Sequence, residues 1–208
     1  LNSRKFRLLS SKAFRHDFPL TYNEILNYFE IPHRYIVPVK FSLNSNSGKS
    51  KKTQDIFLLE EKIGEDYLDR NFLRQSIIFE RDLYDNKEFI DAVYKQRNGI
   101  ITQKEKDKVV NGLNIDNKEK LKIINKHNNE NVGEYAKKSF LKYLNQQQSA
   151  KDTFNLSQIS KVFAIHTIMN MYHAIGDHNL KFYFNPFTKK LEILPTDPHL
   201  PTLINKSE

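Results

Sequence analysis

The apolar positions in the first third of the chain change from strand-like runs to helical spacing and back. The run 4–10 (RKFRLLS) has the composition of a short strand. Asp17 then opens a predicted helix, because apolar residues recur at helical spacing as far as Phe29. β-Branched and aromatic residues predict two more strands, 34–43 and 55–63, joined by a polar loop. The pattern therefore predicts a strand, a helix and a long hairpin.

The middle of the chain has a weaker pattern. Pro38 lies inside the first hairpin strand, and because proline has no N–H to donate, we expect that strand at a sheet edge or at a bulge. A short helix is predicted at 64–74 and a brief strand at 76–80. From 86 to 145 the spacing indicates several amphipathic helices, with breaks near Asn98-Gly99, Asn111-Gly112 and Val132-Gly133.

The last third has the clearest signals. Asn155 followed by Gln158 is typical of a helix N-terminus, and an apolar helix is predicted from there to about His173. A polar loop follows, and then two short strands around a proline-containing turn, KFYFNPFTKKLEILPTD, predict a second hairpin that ends at Asp197.

Composition adds limits on the class of protein. A hydrophobic fraction of 38% supports a folded core, and the mean hydropathy of −0.65 indicates a heavily charged surface. No apolar stretch approaches the ~20 residues of a transmembrane helix. The absence of Cys excludes disulfides, thiolate metal sites and a Cys nucleophile. The net charge of +8 favours an anionic partner without choosing among nucleotide, nucleic acid and envelope polymer.

The second predicted hairpin carries the candidate chemistry. It returns the chain from a loop containing His173, Asp177 and Asn179 to Asp197. Carboxylate and amide oxygens are the hard ligands that Mg²⁺ accepts while it bridges nucleotide phosphates. Protein kinases use the same order, in which a catalytic loop with a metal-binding Asn precedes a metal-binding Asp. The order of residues therefore predicts a metal–nucleotide site.

Two other interpretations of the same residues stay open. His166 and His173 are seven residues apart, so they share one helix face and are each explained as packed histidines. Asp177 and Asn179 then simply shape a turn. A zinc site of His173, Asp177 and His178 is a minor alternative, because no recognised ligand spacing fits these residues.

The segment FNLSQISKVFAIHTIMNMYHAIGDHNLKFYFNPFTKKLEILPTD resembles the CotH-type kinases, an atypical protein-kinase-like family named after a spore-coat protein. The likeness lies in a helix, a polar loop ending in His-Asn, an aromatic strand, an Asn-Pro turn and a Glu-x-x-Pro-x-Asp end. RKFRLL, IPHRYIVPVKFSLN and IFLLEEKI are similar to the upstream lobe that covers the nucleotide in that family. The resemblance covers both ends of the chain and omits the middle.

This resemblance implies one CotH-like kinase domain over 1–208, and an incomplete one. It implies an α+β, protein-kinase-like fold, with a small mixed β/α N-terminal part (1–80) and a mainly helical C-terminal part with the site hairpin (81–208). Asp197 and Asn179 would hold the Mg²⁺, and Glu61 would contact or orient ATP. Arg7, a guanidinium in the first strand, would pair with phosphates as a fork. Ordinary cross-strand pairing is the alternative for Arg7 and Glu61.

The chain departs from the family pattern in two ways. The catalytic Asp expected several residues before Asn179 is replaced by His173-Ala174, so the proton acceptor is either His173 or Asp177. A phosphate-binding Lys before Arg7 and a Gly-rich loop are absent from the 208 residues. Either the chain begins too late to include them, or it binds nucleotide weakly or not at all.

Three functional hypotheses follow. The first is a kinase that transfers phosphate from ATP to Ser or Thr of a surface or coat protein, which would place it at a cell surface or spore coat. The second is a catalytically inactive kinase-like module of an envelope or spore layer. The third is a nucleic-acid binder, motivated by the charge and the basic-aromatic strands; we do not expect it, because such strands more often supply core.

Overall fold

The computed structural model describes residues 5–10, 17–40, 56–81, 95, 99–100, 102–103, 121–125, 130–175 and 179–196 of the 208-residue chain. The strands are β1 (Phe6–Ser10), β2 (Ile36–Lys40), β3 (Ile56–Glu61), β4 (Ile78–Arg81), β5 (Leu121–Ile123), β6 (Lys181–Asn185) and β7 (Lys190–Leu194). The helices are α1 (Asp17–Tyr28), α2 (Glu65–Arg70), α3 (Glu130–Leu144), α4 (Ala150–Thr153) and α5 (Leu156–Ile168), and Tyr172–Ile175 forms a 3₁₀ helix.

The first sheet has three antiparallel strands in the order β1-β3-β2. The predicted first strand, helix and hairpin are confirmed. Pro38 lies in β2 opposite Leu58, and β2 is an edge strand, as the missing N–H of proline predicts. Because β3 is the central strand, its side chains contact groups from both neighbours.

The second sheet has four antiparallel strands in the order β5-β4-β6-β7. The predicted second hairpin is confirmed as β6–β7, with Asn185 opposite Lys190. The prediction of helices alone between 86 and 145 is wrong at β5, which pairs with β4. A strand of three residues is too short for its alternation to be recognised, and its backbone partner on β4 is distant in sequence.

The second sheet separates two apolar clusters, because successive strand residues point to opposite faces. Phe79, Phe182 and Phe184 face α3 and α5, where Phe140 and Val162 belong to the same cluster. The other face, with the residues Ile78, Tyr183 and Leu194, packs on Tyr67 and Leu68 of α2. The chain is thus a mixed α+β protein with two antiparallel sheets, and the part after residue 80 contains strands as well as helices.

Two helix boundaries differ from prediction. The helix α3 continues through Gly133, where we predicted a break. A Cβ on Gly133 would lie 3.2 Å from Ile77 Cδ1, so glycine there allows α3 to approach the second sheet closely. The helix α5 ends at Ile168 and does not reach His173. The predicted break near Gly112 lies outside the described residues, whereas Gly99 is in a turn with φ 69°.

Four helices end in the same way without glycine. A residue with a left-handed backbone conformation follows each of α1, α2, α3 and α5. These residues are Glu30 (φ 56°), Phe72 (φ 54°), Gln146 (φ 57°) and Asn170 (φ 55°). At the end of α5, Asn170 N donates to Thr167 O at 3.1 Å and Met171 N donates to His166 O at 2.7 Å. This pair of bonds is the Schellman motif, which turns the chain away from the helix axis. The reversal at Asn170 explains why α5 stops before His173.

Candidate functional site

The two ends of the predicted site hairpin, Asn179 and Thr196, are in contact. Asn179 precedes β6 and Thr196 follows β7. The hydroxyl of Thr196 donates to the backbone oxygen of Asn179 at 2.5 Å, and the Thr196 side chain is buried. The β6–β7 hairpin therefore brings the residue after β7 next to the residue before β6.

Side-chain hydrogen bonds fix the turn of this hairpin. Asn185 Oδ1 accepts from the N–H groups of Phe187 (3.0 Å) and Thr188 (3.3 Å), which is a side chain forming a turn with its own backbone. The amide of Asn185 donates to Glu192 Oε1 at 3.0 Å, and Glu192 is buried. The Asn-Pro turn noted in the sequence is thus stabilised by Asn185 and Glu192.

The N-terminus of α5 is joined to the same hairpin. Asn155 caps α5 by accepting from Gln158 N at 3.4 Å, as predicted, and its amide donates to Glu192 Oε1 at 3.1 Å. The side chain of Gln158 bonds both backbone groups of Ile193, with Ile193 N to Oε1 at 3.1 Å and Nε2 to the carbonyl at 2.7 Å. These bonds hold β7 against the start of the helix, so the hairpin cannot shift along it without breaking them.

The remaining predicted site residues are only partly described. Asn179 is half-buried at the start of the hairpin, and the backbone of His173 lies in the 3₁₀ helix. The side chain of His173, and Asp177, His178 and Asp197, lie outside the described residues. The structure therefore brings together Asn179 and the residue that precedes Asp197 in the chain.

His166 is a packed histidine, as its position on the helix face predicted. Its Nδ1 is 2.7 Å from Val162 O and must donate, because a carbonyl oxygen only accepts. Its Nε2 lies 2.9 Å from the hydroxyl of Tyr22, which donates to the neutral ring. Burial lowers the pKa of His166, although the hydrogen bond to Val162 opposes this shift. The pair joins α1 to α5.

Arg7 makes the cross-strand contact that was the alternative to phosphate binding. It pairs with Glu60, its direct partner in the β1–β3 register. Arg34 binds the other oxygen of the same carboxylate, with Nη1 to Oε1 at 2.6 Å. Glu60 is 1% exposed, so one buried carboxylate is shared by two guanidinium groups.

Glu61, the neighbour of Glu60, belongs to a separate buried pair. Its Oε2 accepts from Arg70 at 2.8 Å and from the backbone N–H of Tyr35 at 3.1 Å. Arg70 also donates to the backbone oxygen of His33. Among the buried side-chain atoms of the described ranges, Glu61 Oε1, the hydroxyl of Tyr67 and Ser76 Oγ have no hydrogen-bond partner.

Sequence reasoning missed Glu60, Arg34 and Arg70. The available signal was the pair of acidic residues at the end of β3, because adjacent strand residues point to opposite faces and each carboxylate then needs its own cation. Which arginines would supply those cations depends on the strand register and on the position of α2. Neither can be read from local sequence.

A small, half-open pocket lies where the N-terminal part meets the end of the site hairpin. Its lining comes from α1, from the start of β2 and from the residues after β7, and consists of Tyr22, Asn23, Leu26, Arg34, Ile36, Pro195 and Thr196. Asn23 Nδ2 donates to the backbone oxygen of Arg34 at 2.5 Å. The pocket therefore lies between α1, the start of β2 and the end of the β6–β7 hairpin.

Three findings bear on other kinds of site. In the described ranges, no three His, Asp or Glu side chains are grouped closely enough to hold a metal ion. None of the helices described is long and apolar enough to cross a membrane. Phe182, Tyr183 and Phe184 of the KFYF strand are buried, so these rings contribute to the core and are not available to stack on bases.

Comparison with protein-family models and with curated proteins finds no match to this chain.

Proposed function

We propose that this chain is a CotH-like atypical kinase that transfers phosphate from ATP to Ser or Thr hydroxyls of a surface or coat protein. The observation that supports this proposal is the hydrogen bond from Thr196 to Asn179. It joins the two ends of the segment whose residues have the order of a kinase metal site.

The argument for the metal rests on ligand chemistry. Mg²⁺ binds oxygen ligands at about 2.0–2.1 Å, so two protein ligands of one ion must lie close together. Asn179 carries an amide oxygen, and Asp197 is covalently bonded to Thr196. Thr196 is hydrogen-bonded to Asn179. No long-range rearrangement of the chain is therefore needed for Asn179 and Asp197 to bind the same ion.

The other proposed roles concern the proton and the nucleotide. In the transfer, the hydroxyl oxygen of the substrate bonds to the γ-phosphorus, ADP departs, and the hydroxyl proton passes to a base. His173 and Asp177 are the proposed acceptors, and Glu61 and Arg7 are the proposed contacts to the nucleotide. Phosphoryl transfer depends chiefly on positioning and on charge neutralisation, which such groups supply.

Replacement of Asp197 tests the proposal. We expect wild-type protein to bind ATP in the presence of Mg²⁺ and the Asp197→Ala variant to bind it at least about tenfold more weakly, equivalent to about 1.4 kcal/mol. Calorimetric titration with and without Mg²⁺ measures this difference. Glu134→Gln, a change of an exposed carboxylate on α3, is the matched control and should bind as the wild type does.

Unchanged binding of ATP by Asp197→Ala would refute the metal site. Binding of ATP without transfer of labelled γ-phosphate to any protein of the cell surface would instead identify the chain as the inactive structural module considered above.

A further inference from the structure

Two phenylalanine rings beside the second sheet are exposed to solvent. Phe72, in the turn after α2, is 97% exposed, and Phe187, at the tip of the β6–β7 hairpin, is 72% exposed. Arg74 is close to both. Its guanidinium carbon lies 5.1 Å from the centre of the Phe187 ring, and it follows Phe72 by two residues, a Cα separation of at most about 7 Å. The two rings therefore belong to one surface.

The fold gives no reason for a phenylalanine at position 72. Leu73 N donates to Leu68 O at 2.9 Å, so Phe72, with φ 54°, is the left-handed residue of a Schellman motif. Glycine is the usual residue there, because a side chain strains this backbone. At 97% exposure the ring buries almost no apolar area that would offset the strain. A contact outside the chain would explain the ring.

Hydrogen bonds hold both turns in place. The hydroxyl of Tyr183 on β6 donates to the backbone oxygen of Arg74 at 3.0 Å, which joins the turn after α2 to the hairpin. At the hairpin tip, Asn185 accepts from the N–H groups of Phe187 and Thr188. The rings are thus presented on an ordered backbone, so little conformational freedom is lost when a partner covers them.

Basic side chains lie beside both rings. Arg74 contacts Phe187, and Lys189 and Lys190 follow Phe187 in the hairpin. Among the described residues, none of these three cations pairs with a carboxylate. Arg74 and Lys189 are exposed and Lys190 is half-buried, so their charges are accessible to an anionic surface.

The carboxylates near these turns offset only part of that charge. Glu192 on β7 is buried and accepts from two asparagine amides. Glu65 and Asp66 lie in the first turn of α2, at the opposite end of the helix from Phe72 and about 9 Å along it, roughly a Debye length. Asp69 is nearer and offsets one of the three cations. The surface stays positive, in agreement with the net charge of +8.

We propose that the surface formed by Phe72, Arg74, Phe187, Lys189 and Lys190 binds an anionic lipid bilayer. Rings on two projecting turns can enter the boundary between headgroups and acyl chains, while the basic side chains pair with lipid phosphates. Stacking of nucleic-acid bases uses rings that lie flat along a basic groove. A ring as exposed as Phe72 lies flat on no groove, which favours the bilayer. This inference goes beyond the proposed kinase activity and does not depend on it.

The first test is sedimentation with lipid vesicles. We expect the wild type to bind vesicles of phosphatidylcholine mixed equally with phosphatidylglycerol at least about tenfold more tightly than vesicles of phosphatidylcholine alone. Phe72→Gly, which suits the left-handed backbone, should bind the mixed vesicles at least about fivefold more weakly. Tyr28→Ala is the control, because Tyr28 is 83% exposed and the last turn of α1 contains no basic residue. Equal losses in the two variants would overturn the proposal.

A second pair of variants tests the charge. Lys189→Gln and Lys161→Gln each remove one positive charge from an exposed position, the second on α5, which packs on the opposite face of the second sheet. We expect Lys189→Gln to weaken binding to the mixed vesicles about fivefold and Lys161→Gln to stay within about twofold of the wild type. Equal effects would show that net charge, and not this surface, attracts the vesicles.

The decisive test measures insertion. The 208 residues contain no Trp, so Phe187→Trp places a single fluorescent reporter in the proposed surface and Tyr28→Trp places one outside it. With mixed vesicles, we expect the emission of Phe187→Trp to shift to shorter wavelength and that of Tyr28→Trp to stay unchanged. Vesicle binding without this shift, or the same shift with single-stranded DNA in place of vesicles, would overturn the proposal. Asp197→Ala should bind vesicles as the wild type does, so the kinase proposal and this one can fail separately.

Discussion

The two sheets of this protein bury opposite kinds of side chain. The central strand of the first sheet buries two adjacent carboxylates, Glu60 and Glu61, each paired with arginine. The second sheet buries rings, and Phe182 alone contacts three other phenylalanines. A buried ion pair often contributes little net stability, because removing both charges from water costs about as much as their attraction returns. Aromatic packing has no such opposing cost.

This difference assigns separate roles to the two regions. The second sheet stabilises the fold and contains the site hairpin. The first sheet contains buried ion pairs, which contribute little net stability. Charged groups in such an environment are typical of binding and catalytic sites. The contrast can be tested by changing one residue type in each sheet.

The largest effect is expected in the second sheet. Phe182→Ala removes ring contacts at 4.9 Å to Phe140, 5.6 Å to Phe79 and 6.2 Å to Phe154, measured between centroids. We expect the free energy of unfolding to fall by about 3–5 kcal/mol, as measured by urea denaturation. Phe187→Ala is the control, because this ring is 72% exposed and lies over Arg74. A loss in Phe182→Ala no larger than in the control would show that the aromatic cluster does not stabilise the fold.

The next largest effect is expected when a carboxylate in each sheet is neutralised and the two losses of stability are compared. Glu60→Gln leaves Arg34 and Arg7 without their shared counter-charge, and breaking a buried pair in this way costs about 3 kcal/mol. Glu80→Gln removes the partner of Lys181 and Lys122 in the second sheet, where Lys122 is largely exposed. For Glu80→Gln we expect the free energy of unfolding to fall by about 1 kcal/mol. Urea denaturation of both variants at low and high salt measures the two losses, and a larger loss for Glu80→Gln would reverse the comparison.

A smaller effect concerns pH and the contact between α1 and α5. Burial lowers the pKa of His166 in the folded protein, so below about pH 6.5 the unfolded chain binds a proton that the folded chain does not. Stability should therefore fall as the pH drops, by at most about 1.4 kcal/mol per pH unit for one proton.

His166→Gln should reduce this slope. Burial also lowers the pKa of His33, so the His33→Gln variant shows how much of the slope belongs to that residue. Unfolding at a series of pH values between 5 and 8 provides the measurement. If His166→Gln keeps the full wild-type slope, the buried neutral ring is not its source.

Local patterns in the sequence were sufficient for much of the fold. The hairpins β2–β3 and β6–β7, the edge position of Pro38 and the cap at Asn155 are all set by neighbouring residues, and all are confirmed. The strand β5 was missed because its partner lies far away in the sequence. The glycine in α3 was misinterpreted because its packing on Ile77 is a tertiary contact.

The site was harder to predict than the fold. The return of the hairpin to Asn179 follows from the sequence pattern, and the Thr196 bond agrees with it. The partners of Arg7 and Glu61 do not follow, because they depend on register and on the direction in which each side chain points. Ion pairs between distant residues leave no periodic signal, so Arg34 was not recognised as a partner of Glu60.

The glycine-free helix ends have a practical consequence for work with this protein. A non-glycine residue in the left-handed conformation is strained by roughly 1 kcal/mol, and Glu30, Phe72, Gln146 and Asn170 all adopt it. Glycine would adopt the same backbone at little steric cost, although it also loses more freedom on folding. The four turns are in separate parts of the chain, so exchanges there would combine nearly additively. They offer a route to a more heat-resistant version for crystallisation that leaves both buried charge pairs and the hairpin untouched.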